Sequence, residues 1–174
     1  MAHHPHHETP DPTPAQVHAH AAAARARKRA EAEALGINAA FISDLVDTFY
    51  GKVRDDDLLG PIFAERIADW PWHLDRMKRF WRSILHNSGE FNGNPMARHL
   101  AIPELAEHHF AHWLGLFYAT LDELSDQREG AQLIGMRARM IADSLLTGIA
   151  MKQTGLSGAR AGDSLPKFEA SFPG

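Results

Sequence analysis

The stretch PMARHLAIPELAEHHFAHW, from Pro95 to Trp113, holds His99, His108, His109 and His112, with a proline at Pro103 dividing the first from the others. His99 falls in a segment, HNSGEFNGNPMARHLAIP, whose Gly, Asn and Pro content permits at most a short helix around Met96 to Leu100. His108, His109 and His112 share one helix with Trp113, so they cannot all face what Trp113 faces. An imidazole set alone on a weakly structured segment between two strong helices, preceded by Arg98 and flanked by Met96 and Leu100, is in an odd place for a core histidine.

Outward from that segment the pattern is helical. AAFISDLVDTFYGKV repeats Ile42, Leu45, Val46, Phe49, Tyr50 and Val53 at three- and four-residue steps, which makes an amphipathic helix. RDDDLLGPIF reads as a loop turning at Gly60-Pro61. Asp69 then caps, and Pro71 occupies the first turn of, a helix through WHLDRMKRFWRSIL, where His73, Met77, Phe80, Trp81 and Ile84 share one broad face. Beyond Pro103 one helix around Leu105 to Leu124 carries Phe110, Trp113, Leu116, Phe117 and Leu121. Another, around Ala131 to Met151, carries Leu133, Met136, Met140, Ile141, Leu145 and Ile149. No alternation of β-branched residues marks a strand, so the fold class is all-α with one interruption.

The 174 residues are one domain's length, and 44% hydrophobic content suffices for a core. A net charge of -4 and a pI near 6.3 argue against a nucleic-acid partner. The absence of cysteine excludes disulfides and thiolate chemistry. No run approaches the roughly 18 apolar residues of a membrane span, and no signal-like apolar region opens the chain, so a soluble cytoplasmic protein is expected. Residues 1–35 read as a disordered or partly helical extension, 36–152 as the folded body and 153–174 as a flexible tail in which Phe168 and Phe172 could still dock. The early run HHPHH, with His3, His4, His6 and His7, reads as a flexible, adventitious metal binder; His108 and His112, four apart with Glu107 near, offer a surface zinc or nickel site.

Tyr50, His73 and Trp113 each lie on the apolar face of a different helix, so a bundle turns three polar-tipped side chains inward beside Phe63, Met77 and Phe80. Taken singly, each also fits a satisfied core residue. Their convergence, with one imidazole on a separate short segment, suits a large flat apolar cofactor carrying a metal, namely haem with His99 as its ligand.

At FYGKVRDDDLLGPIF, DWPWHLDRMKRFW, GEFNGNPMARHL and HFAHWLGLF, in that order and spacing, the sequence resembles the truncated haemoglobins, specifically bacterial group III, over about residues 25 to 151. The resemblance implies a two-over-two helical sandwich around haem b. It also implies His99 as the proximal iron ligand, Tyr50 and Trp113 as distal donors and His73 as the distal-helix histidine. Phe63 falls on the position that packs on the haem, Met77 and Trp81 on wall positions, and Arg76 and Arg98 on partners of the propionates; Phe80 and Met96 complete the expected cofactor contacts.

The ligands expected at such a site are dioxygen, nitric oxide, carbon monoxide or peroxide, unless His73 swings in to occupy the iron; a gate is the favoured role for that ring. Two donors worth about 1 to 1.5 kcal/mol each slow dioxygen release by roughly 30- to 150-fold, which favours nitric oxide detoxification or peroxidase-like turnover over oxygen transport. A dioxygen-binding or sensing module, and a non-haem bundle sharing the pattern, remain as alternatives. No G-x-G-x-x-G fingerprint is present, so turnover needs an external reductase.

Overall fold

The computed structural model describes residues 10–155 and 161–173, and the HHPHH run lies outside them. Seven helices follow in order: α1 (Pro14–Ala34), α2 (Ala39–Asp55), α3 (Leu59–Arg66), α4 (Trp70–His86), α5 (Pro95–Leu100), α6 (Glu107–Leu124) and α7 (Arg128–Thr154). No strand occurs among the described residues. The starts are chemically marked. Thr13, Asn38, Asp69 and Asn94 accept from the backbone N–H three residues on, and Pro14, Pro71 and Pro95 sit in first turns where a missing N–H costs nothing.

Helices α2 and α4 pack together, α6 and α7 pack together, and α2 crosses α6, giving two pairs stacked two over two. The α2 face anticipated from its period is buried throughout: Ile42, Leu45, Val46, Phe49, Tyr50 and Val53. Phe117 of α6 stacks on Trp81 at 5.1 Å and on Trp113 at 5.4 Å, and meets Phe49 edge-on at 5.1 Å, so an aromatic cluster ties α2, α4 and α6.

Three features depart from the sequence reading. The expected loop at Gly60-Pro61 is the helix α3, because Asp56 Oδ1 accepts from the N–H groups of Leu58 and Leu59 at 3.0 and 2.8 Å, and Pro61 falls within the first turn. On α7, Met136 and Met140 are exposed. The small residues Ala131, Gly135, Ala138 and Ala142 form much of the buried face instead, since a close-packed helix pair selects small side chains at its contact. The flexible tail expected at 153–174 lies, from Ala161 onward, against α6 and α7. Leu165 is buried, the Phe168 ring covers Gly135, and the Arg139 guanidinium donates to the carbonyls of Leu165 and Asp163, each at 3.1 Å.

Candidate haem site

A cavity of about 700 Å³ opens between the helix pairs, within the range of about 300–1,000 Å³ usual for cofactor and small-molecule sites. Its lining includes Tyr50 from α2, Phe63 from α3, His73, Arg76, Met77, Phe80 and Trp81 from α4, Arg98 and His99 from α5, and Trp113 from α6. All but one of the site residues anticipated from the sequence therefore come together. Met96 is the exception: its sulfur fills the space a Cβ at Gly148 would take, so it fastens α5 to α7 and is not part of the cavity wall.

His99 is oriented by its own helix. Its Nδ1–H donates to the Pro95 carbonyl at 2.6 Å, which fixes the proton on Nδ1 and leaves Nε2 with a free lone pair. Burial lowers its pKa against the smaller opposing effect of that bond, which favours the neutral ring. Phe110 lies beside the ring, centroids 6.5 Å apart.

Elsewhere in the cavity wall the Tyr50 ring meets His73 edge-on at 5.1 Å and Phe63 at 5.8 Å, while Phe49 stands between Tyr50 and Trp113, 4.9 and 5.3 Å from each. Burial raises the pKa of the Tyr50 phenol, so it remains a proton-bearing donor. His73 Nε2 is buried without a hydrogen-bond partner, and its pKa is lowered to about 4, by burial first and then by Arg76 and Arg98. A buried, unsatisfied ring nitrogen in a native site calls for a ligand or a mobile role.

Residues not anticipated also line the cavity: Arg66, Trp72, Ile102, Leu105, His109 and Phe110 among them. His109 carried a usable signal, since it lies four residues before Trp113 and so on the same side of α6. Its Nδ1 accepts from the Ala106 N–H at 3.1 Å. His112 turns away, donating through Nε2–H to Asp56 Oδ2 at 2.6 Å, and no group of three or more potential metal ligands converges among the described residues. The zinc or nickel alternative on α6 has no such cluster to rest on.

A two-over-two helical sandwich enclosing a largely apolar cavity, with one partly buried histidine oriented through its Nδ1 on a short helix, defines a globin of the truncated type. No family model matches the chain. It is, however, 37% identical over 110 residues to "Group 3 truncated hemoglobin ctb" of Campylobacter jejuni, an alignment spanning 61% of this chain and 86% of that protein. The crystal structure of group III truncated hemoglobin from Campylobacter jejuni superposes with a TM-score of 0.62 at 35% identity, covering 65% of this chain and 91% of that one. The chain belongs to the group III truncated haemoglobins. Membership implies a haem, and the residues fit it: a neutral imidazole with a free Nε2, an orphaned ring nitrogen at His73, apolar walls and arginines in the lining.

Proposed function

We propose that the protein is a cytoplasmic haem b protein for ligand chemistry, nitric oxide detoxification or peroxidase-like turnover, in preference to oxygen transport. The observation that carries this reading is His99: Nδ1–H is engaged by the Pro95 carbonyl, and Nε2 is free in a cavity that Tyr50, His73 and Trp113 also line. When bound, haem supplies an iron that accepts dioxygen, nitric oxide, carbon monoxide or peroxide.

The chain's own residues do the rest. His99 would hold the metal, Arg76 and Arg98 would offer the cations for the propionates, and Phe63, Met77, Phe80 and Trp81 would keep water from the cofactor. Tyr50 and Trp113 carry O–H and N–H donors with no protein acceptor among the described residues. In a dry wall such donors stabilise a diatomic ligand that has gained negative charge. The Nδ1–H of His99 meets a neutral carbonyl rather than a carboxylate, so the imidazole would offer the iron a donor of ordinary basicity. The peroxidase-like reading has one observation of its own: at neutral pH His73 is an uncharged base, buried and unpartnered, able to take a proton from peroxide.

Absorption spectroscopy after expression with haem, followed by rapid mixing of the dioxygen-loaded protein with nitric oxide, tests the proposal. A Soret band, lost in His99→Ala and kept in His108→Ala and His112→Ala, together with fast stoichiometric nitrate, is the expected result. Slow or absent nitrate with normal dioxygen binding would leave a binding or sensing module, and a normal spectrum in His99→Ala would remove the ligand assignment.

A further inference from the structure

Two arginine–tryptophan pairs flank the first turn of α4 beside the cavity. The Arg54 guanidinium lies over Trp70 at 4.5 Å, and that of Arg76 lies over Trp72 at 5.0 Å and over Phe91 at 5.1 Å. Trp72 lines the cavity and is also 54% exposed, the one large aromatic side chain left so open among the described residues. Arg66 and Arg98 are exposed in the same lining. Among the described residues none of these four arginines forms a salt bridge. Asp69, the carboxylate in the lining, caps α4 by accepting from the Trp72 N–H at 3.0 Å. The three arginines of the lining would balance Asp69 and two propionates of a bound haem, so Arg54, held over Trp70 just outside the lining, leaves a net positive charge beside the mouth of a chain whose net charge is -4.

We propose that this mouth is the docking surface for a protein one-electron donor that presents an acidic face around its redox centre; the inference rests on the haem reading above. Tryptophan and arginine dominate binding energy at protein interfaces, and guanidinium groups already held over indole rings lose less freedom when a partner arrives. An acidic partner is repelled by the rest of this negatively charged chain and steered to the basic mouth. Trp72 spans wall and solvent, so a partner seated on it lies against the cavity wall. The step is a one-electron transfer: the donor's centre is oxidised by one electron and ferric haem is reduced to ferrous, with no bond made or broken.

Reduced acidic flavodoxin is the probe, and reduced lumiflavin, which has the same redox chemistry without a protein face, is the control, both mixed with the ferric holoprotein. The flavodoxin rate constant is expected to fall with rising ionic strength. In Trp72→Ala and in Arg54→Glu, its ratio to the lumiflavin rate should drop about tenfold. Oxidised flavodoxin should also shift the indole N–H resonance of Trp72. Unchanged ratios and salt dependence in both variants, with an unmoved Trp72 resonance and a normal haem spectrum, would overturn the docking surface alone. A wild-type protein that takes up no haem would overturn the haem reading and this inference with it.

Discussion

At the residue scale the site turns on polar groups that the protein itself leaves unanswered. Removing the Tyr50 hydroxyl in Tyr50→Phe deletes a donor at nearly constant volume. Dioxygen dissociation should rise about five- to tenfold while the unfolding midpoint barely moves. Trp113→Phe should act in the same direction, and the double variant should be non-additive because both donors serve one ligand. Carbon monoxide, which polarises less, should respond far less; equal shifts for the two gases would mean altered access or packing. His73 supplies a pH signature with a definite sign. Its pKa lies near 4 in the fold against an ordinary 6.5, so folding favours the neutral ring. That stability is present above about pH 6.5 and is lost as pH falls toward 4. The urea midpoint should therefore drop less between pH 7 and pH 4.5 in His73→Leu than in wild type. Asp56 and Glu90, whose carboxyls are held low by His112 and Arg82, are common to both proteins and cancel in the comparison. If His73 acts as a gate, ferrous His73→Leu keeps the wild-type coordination bands; their disappearance would make the ring an iron ligand.

At the scale of helices, much was legible because each signal was local. The α2 period, the Asp69-Pro71 start of α4, and His99 isolated among Gly, Asn and Pro are written in windows of a few residues, and the fold preserves all of them. What escaped depends on contacts between helices. Met96 beside His99 reads as a cofactor neighbour until Gly148, more than forty positions on, proves to leave the space that its sulfur fills. Likewise α3 hides behind Gly60-Pro61, because Asp56 and the close pass of Gly60 to the Arg54 carbonyl are what permit a helix there. Gly130 tests the same principle where α7 begins. A Cβ at Gly130 would strike the Leu35 carbonyl in the turn between α1 and α2, which is backbone and cannot rotate aside. Gly130→Ala should cost about 1–3 kcal/mol in denaturant unfolding despite alanine's better helix propensity. A neutral or stabilising result would mean that the α1–α2 turn yields easily.

For the molecule as a whole, the C-terminal segment matters most to what composition alone could not convey. TGLSGARAGDSLPKFEASFPG has neither helical nor strand period, and the residues that receive it lie on other elements. Gly135 of α7 leaves room for Phe168, Tyr118 of α6 donates its hydroxyl to the Pro166 carbonyl at 2.8 Å, and Ser171 reaches the Asp122 carboxylate. A receptor track of this kind has no signature in the segment that fills it. The energetics are those of a small core extension. Burying Leu165 and part of Phe168 is worth about 2–4 kcal/mol, less the entropy of ordering the chain, and the Arg139 bonds to main-chain carbonyls lock the path. A net loss of about 2 kcal/mol on deleting residues 161–174 should therefore lower Tm by roughly 4–8 °C, at about 2–4 °C per kcal/mol for a chain of this size. Leu165→Ala alone should reproduce a good part of that loss, because the leucine is the deepest apolar anchor of the segment. Phe172→Ala should lower Tm less, since that side chain is only half-buried. Because the segment lies on the outer side of α7 while Ile141, Ala142 and Leu145 of the same helix line the cavity, the truncated protein should still bind haem with an unaltered ferrous spectrum. Calorimetry and absorption on one sample decide the matter: a fall in Tm of that size with an intact spectrum makes the segment a stabilising strap, whereas an altered spectrum would extend its influence through α7 into the site.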